Sequence, residues 1–81
     1  MLYTELHNKP IKLPKKGTVE IDAGDGVILV PLDSGKIFLH WLNDKGQVNN
    51  THQLRYSTKV TKKLRLVNAE PRDLQVMQID L

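Results

Sequence analysis

The sequence predicts an all-β fold, a small antiparallel β-sandwich or partly open barrel of six to eight short strands. Three observations predict it. The chain has two alanines against seven valines, five isoleucines and five threonines; β-branched side chains lose freedom in a helix and pack well on a pleated surface. Glycine and proline fall as punctuation at intervals of about 8–12 residues, the rhythm of a small sandwich or barrel. Between these breaks the apolar residues either alternate with polar ones or run unbroken over a strand's length.

Taken in order, Leu2-Tyr3-Thr4-Glu5-Leu6 alternates and is stopped by Asn8-Lys9-Pro10. Ile11-Lys12-Leu13 is a short extended piece between Pro10 and Pro14, which lack amide donors and so place it at a sheet edge or outside the sheet. Lys15-Lys16-Gly17 turns the chain into Thr18–Asp22, with Val19 and Ile21 on one face. Ala23-Gly24-Asp25-Gly26 is the clearest turn, because its glycines permit the positive φ of a tight hairpin. Val27–Leu32 is apolar throughout and reads as a strand buried on both faces, limited at its far end by Pro31. After the Asp33–Lys36 turn, Ile37–Leu42 is the expected central strand. Ile37, Leu39 and Trp41 lie on one of its faces and Phe38, His40 and Leu42 on the other. Gln47–Gln53 is polar apart from Val48 and reads as a flexible loop. Leu54, Tyr56, Thr58 and Val60 then alternate with Arg55, Ser57 and Lys59, and Lys63–Val67 follows as a further strand. The tail from Asp73 to Leu81 fits a strand through Met77, Ile79 and Leu81, or a short helix through Leu74, Met77 and Leu81. No repeat, linker or low-complexity stretch divides residues 1–81, so a single domain is expected.

At 81 residues and 40 % apolar composition the core is thin, and folding hides only about 60–65 % of the chain's surface. There is no cysteine, which removes disulfides, thiolate nucleophiles and sulfur-ligated zinc. No apolar run approaches the roughly 20 residues of a membrane helix, so no membrane insertion is expected. Met1-Leu2-Tyr3-Thr4-Glu5 has neither the basic start nor the apolar stretch of a signal peptide; the expected location is cytoplasmic or virion-associated.

The net charge of +3 is unevenly placed. Residues 1–20 carry +2, residues 21–50 carry −2 and residues 51–81 carry +3. Between 51 and 67 there is no acid, while Arg55, Lys59, Lys62, Lys63 and Arg65 are all basic. A hairpin turning near Thr61-Lys62 would gather these five on one exposed face, able to meet a phosphate backbone or an acidic partner surface. The plain alternative is a solvated face whose lysines discourage edge-to-edge pairing. Lys9, Lys12, Lys15 and Lys16 form a second basic cluster around the proline-bounded piece.

Catalytic constellations are sparse. His40 sits in an apolar strand beside Trp41, where a lone histidine is ordinarily a core or interface residue with one hydrogen-bond partner. Ser34, Asp33 and His40 supply the residue types of a hydrolase triad, but Ser34 lies in a turn rather than a nucleophile elbow. Asp22 and Asp25 read as turn formers, because the twelve-residue calcium loop and its closing glutamate are absent. His7, His40 and His52 are too widely spaced for a local zinc motif, and Gly24-Asp25-Gly26 puts an acid where a phosphate loop needs none. No cofactor or metal is implied. The four aromatic residues, Tyr3, Phe38, Trp41 and Tyr56, are all expected in the core, which argues against a stacking platform.

The expected function is a non-enzymatic interaction or assembly module. It would be a small β-domain that docks on a protein partner or self-associates, as virus or phage structural accessory proteins and adaptor domains do. Phe38, His40 and Leu42 are the expected interface, since two adjacent apolar strands exceed what one small sheet hides. The alternative is a nucleic-acid-binding β-barrel that uses Arg55, Lys59, Lys62, Lys63 and Arg65 through phosphate contacts.

Overall fold

The computed structural model describes residues 7–81. Every regular element in it is a strand: β1 (His7–Leu13), β2 (Thr18–Ile21), β3 (Val27–Pro31), β4 (Ile37–Leu42), β5 (Val48–Gln53), β6 (Thr58–Val60), β7 (Leu64–Asn68) and β8 (Leu74–Asp80). They form two four-stranded sheets, ordered β1-β8-β3-β6 and β2-β7-β4-β5, with antiparallel pairing throughout. Among the described residues β4 and β5 are the only consecutive strands that pair; every other connection crosses between the sheets. Eight strands interleaved this way make a jelly roll, the all-β sandwich that the composition predicts. The expected strand at Leu2–Leu6 lies outside the described residues. No helix among them is long and apolar enough to cross a membrane.

The core lies between the sheets. Leu13, Val27, Leu29, Val60, Leu74 and Val76 from the first sheet meet Ile21, Ile37, Leu39, Leu64 and Leu66 from the second, and all are buried. The alternation expected along β4 holds: Ile37 and Leu39 are buried, Trp41 packs against the core, and Phe38, His40 and Leu42 stand half-buried on the outer face.

Several expectations need correction. β3 is buried on one face only: Val27 and Leu29 point inward, while Ile28 and Val30 are half-exposed on the outside of the first sheet. β3 and β4 are not adjacent but belong to opposite sheets, so Asp33–Lys36 is a crossover rather than a hairpin. The same holds for Ala23–Gly26, which keeps the expected turn chemistry: Gly24 has φ +55°, its amide donates to Asp22 Oδ1 (3.2 Å), and Gly26 N donates to Ala23 O (2.8 Å). β1 continues through Pro10, opposite Met77, because at a sheet edge the missing donor faces away from the ladder. Residues 48–53 form β5 rather than a loop. The turn before it is fixed by Asn43, whose Oδ1 accepts from the amides of Lys45 and Gln47, both at 2.9 Å. Residues 54–57 are not strand, and Tyr56 is 79 % exposed rather than in the core. The ambiguous tail is the strand β8, inserted between β1 and β3.

The two ends of the sandwich differ. At one end the β1–β2, β3–β4 and β7–β8 connections are laced together. The buried Asn68 Nδ2 donates to the carbonyls of Leu13, Pro14 and Arg72, and Asn68 Oδ1 accepts from Glu70 N. Glu70 Oε2 accepts from Lys36 N (2.8 Å), Asp33 Oδ2 from Gln75 N (2.8 Å), and Arg72 donates to Ser34 O. Asp73 Oδ1 accepts from Lys15 N, and this bond, followed by the Lys12 ammonium at 3.3 Å, holds its carboxyl below the usual carboxylate range. Of the second basic cluster, Lys12 paired to Asp73 and the Lys16 ammonium on Ala69 O belong to this region, whereas Lys9 pairs with Asp80 at the far end of β8. These three side chains hold loops and strand ends together.

Candidate functional site

The opposite end is open. There the β4–β5 turn and the β6–β7 connection border a cleft of about 1080 Å³. Its form follows from unequal coverage. In the first sheet β6 has three residues, whereas β5 facing it across the sandwich has six. His52 lies opposite Leu39 and Asn50 opposite Trp41, so both share the core-facing side of the second sheet, yet both are exposed. Among the described residues the first sheet leaves both uncovered. Trp41, Asn50 and His52 therefore line one wall, Thr61 and Lys62 of the crossing segment line the other, and Lys59, opposite Ile28 on the outer face of the first sheet, borders the cleft at its edge.

Four of the five predicted cations converge here: Lys59, Lys62, Lys63 and Arg65 all line the cleft. The route differs from the expected one. β6 and β7 do not form a hairpin; they sit in opposite sheets, and residues 61–63 cross between them at the rim. Arg65 stands on the outer face of the second sheet, between Glu20 and His40 in the cross-strand row. Arg55 is separate: it lies toward the β3–β4 crossover and donates to Gln53 Oε1. Lys63 is paired with Glu20 at 3.4 Å, while among the described residues no carboxylate lies within ion-pair distance of Lys59, Lys62 or Arg65. With Glu20 and Asp44 also on the lining, four positive charges face two negative ones.

The remaining candidates stay apart from this cleft or only border it. Phe38 and His40 lie on the outer face of the second sheet, Phe38 opposite Val67 and His40 opposite Arg65, and Leu42 reaches the cleft rim. Asp33 and Ser34 are at the laced end, engaged with Gln75 and Arg72, so the triad residue types do not meet. Among the described residues no three of His, Cys, Asp or Glu come together as a metal site requires. Trp41, beside His40, is the residue to watch should a pocket open at the central strand, whereas Asn50 and His52 escape sequence reasoning because their strand, β5, has no apolar pattern. The available signal was the Asn43–Gly46 turn directly after a strong strand.

Fold and cleft together define a jelly-roll β-sandwich with one laced end and one open, cationic end. Among solved structures the chain is similar to a cupin domain from Bordetella pertussis Tohama I, at a TM-score of 0.65 and 15 % identity over 98 % of this chain and 84 % of that one. At that identity the likeness shows the fold. No protein-family model matches the chain, and no curated protein does.

Proposed function

We propose that the chain is a non-enzymatic docking module that receives a polyanionic partner in the open end of its jelly roll. The observation carrying this reading is the convergence of Lys59, Lys62, Lys63 and Arg65 on one cleft, three of them without a carboxylate partner among the described residues. Unpaired cations in a concavity raise the local concentration of an anionic partner and hold it by charge. The division of labour supports it too, since the laced end fixes the scaffold and leaves the other loops to bind.

The test is retention on an immobilised polyanion such as heparin at low ionic strength. Lys59→Gln with Lys62→Gln is compared with Lys15→Gln and Lys36→Gln, which removes the same net charge at the laced end. The cleft variant elutes at clearly lower salt than the control variant. Equal losses from the two would mean that net charge alone governs retention, and the reading would fall.

Self-association is the second reading, and the outer face of the first sheet favours it. There Ile28 lies opposite Ile79 and Val30 opposite Met77, all half-exposed. A solution mass well above 9.2 kDa supports it, and a monomer at high concentration removes it.

A further inference from the structure

Resting on that docking role, we infer that the polyanion is a single-stranded nucleic acid, its phosphates on the lysine wall and its bases on the Trp41 wall. The two walls differ in the chemistry such a ligand needs. Lys62 on the crossing segment, with Lys59 at the outer border of the cleft, supplies charge without a partner carboxylate among the described residues. Across the cleft Trp41, the chain's single tryptophan, packs against the core with part of its side chain and lines the cleft. His52 is its diagonal neighbour on β5: Trp41 pairs with Asn50, and His52 lies two residues further along the same face. Residues so related are about 7–8 Å apart, within reach of rings of this size. The Asn50 amide, directly opposite Trp41, offers both a donor and an acceptor to a base edge.

An acidic protein surface would use the lysines and leave this wall idle. A duplex would present its phosphates but keep its bases stacked on one another, away from a ring set inside a cleft. An unpaired strand alone engages both walls, because its bases are free to turn onto an aromatic face. Among the described residues β5 is an edge strand, which lets a chain enter and leave without threading.

The experiment titrates the full chain with an oligo(dT) of about twelve nucleotides, following Trp41 fluorescence. A duplex of the same length, polyglutamate and heparin serve as comparison probes. The oligonucleotide quenches Trp41 and binds at least about tenfold tighter than duplex or polyglutamate, a preference that one or two stacked bases supply. With three or four cations engaged, affinity falls about 20- to 50-fold between 50 and 200 mM salt. His52→Ala, a change at an exposed position, weakens binding about fivefold or more while leaving the salt slope unchanged. Trp41→Leu keeps an apolar side chain against the core and weakens binding of a labelled oligonucleotide in the same direction; should it unfold, His52→Ala and the wild-type quench still decide.

Polyglutamate or duplex binding as tightly as the oligonucleotide overturns this inference and leaves the docking reading intact. Oligonucleotide binding that neither quenches Trp41 nor responds to His52→Ala overturns it as well. Failure of every probe to bind at low salt overturns both.

Discussion

Asn68 offers the sharpest test of how this fold is held. Its side chain is buried, at 1 % exposure, and ties the end of β7 to two other segments. Nδ2 donates to Leu13 O (3.1 Å), Pro14 O (3.1 Å) and Arg72 O (2.8 Å), and Oδ1 accepts from Glu70 N (2.8 Å). Asn68→Ala removes all four of these bonds; Pro14 O still accepts from Gly17 N (2.8 Å), while Leu13 O, Arg72 O and Glu70 N lose their bond to the side chain. A buried unsatisfied group costs about 1–3 kcal/mol, but only the bond to Leu13 is fully buried, and water can reach the others in part. The expected loss is therefore about 2–4 kcal/mol. A chain of this length has a total stability of about 4–12 kcal/mol, so the loss is a large share of it. The melting temperature drops by roughly 8–30 °C.

Urea unfolding followed through Trp41 fluorescence and circular dichroism measures the change, with the midpoint falling at constant slope. Asn68→Asp sharpens the test. An ionised carboxylate there has no hydrogen to give the three carbonyl oxygens, so its folded pKa rises above the unfolded value of about 3.9. The folded state then binds more protons than the unfolded one, and stability falls as pH rises from about 4 through the raised value. A midpoint for Asn68→Ala within about 0.5 kcal/mol of wild type, or an Asn68→Asp variant indifferent to pH, would refute the reasoning.

Three further outcomes follow from the same structure. The Asp73 carboxyl is held down chiefly by the Lys15 amide and then by Lys12, so the stability it contributes is present above about pH 4 and is lost as pH falls through its folded value. Asp73→Asn flattens that acid limb, which urea midpoints across pH 2–7 record. At Gly35, φ is +151° and an added Cβ would sit 3.0 Å from both Glu70 Cγ and Leu74 Cδ1. Gly35→Ala costs about 1–3 kcal/mol by thermal or urea unfolding, and a neutral result would mean that the crossover relaxes freely. Tyr56, at 79 % exposure, has little packing to lose, so Tyr56→Ser changes stability by less than about 0.5 kcal/mol.

Much of this molecule can be read from its residues in order. The shortage of alanine and the wealth of valine, isoleucine and threonine foretell strands, and strands are what form. Alternation along Ile37–Leu42 assigns each side chain to its proper face, and the acid-free stretch contains the cations of the cleft. Errors fall where burial leaves no mark on the sequence. β5 is polar because both its faces meet solvent, so it shows no period, yet its backbone pairs with β4 as well as an apolar strand would. Tyr56 keeps step with Leu54 and Val60, but the backbone there is not extended strand, and the step carries no meaning.

By itself, then, the sequence determined an all-β chain with a thin core, the inward and outward faces of its apolar strands, and a basic segment between 51 and 67. Tertiary structure alone decided which strands are neighbours. Side-chain alternation records which way a residue faces, whereas pairing is made by backbone groups that every residue type shares. So β3 and β4 came to lie in opposite sheets, and β6 and β7 were parted across the sandwich. That parting carries residues 61–63 across the rim beside Trp41 and His52, with Lys59 and Lys63 at its outer borders, making a cleft of what the sequence alone presents as a flat charged face.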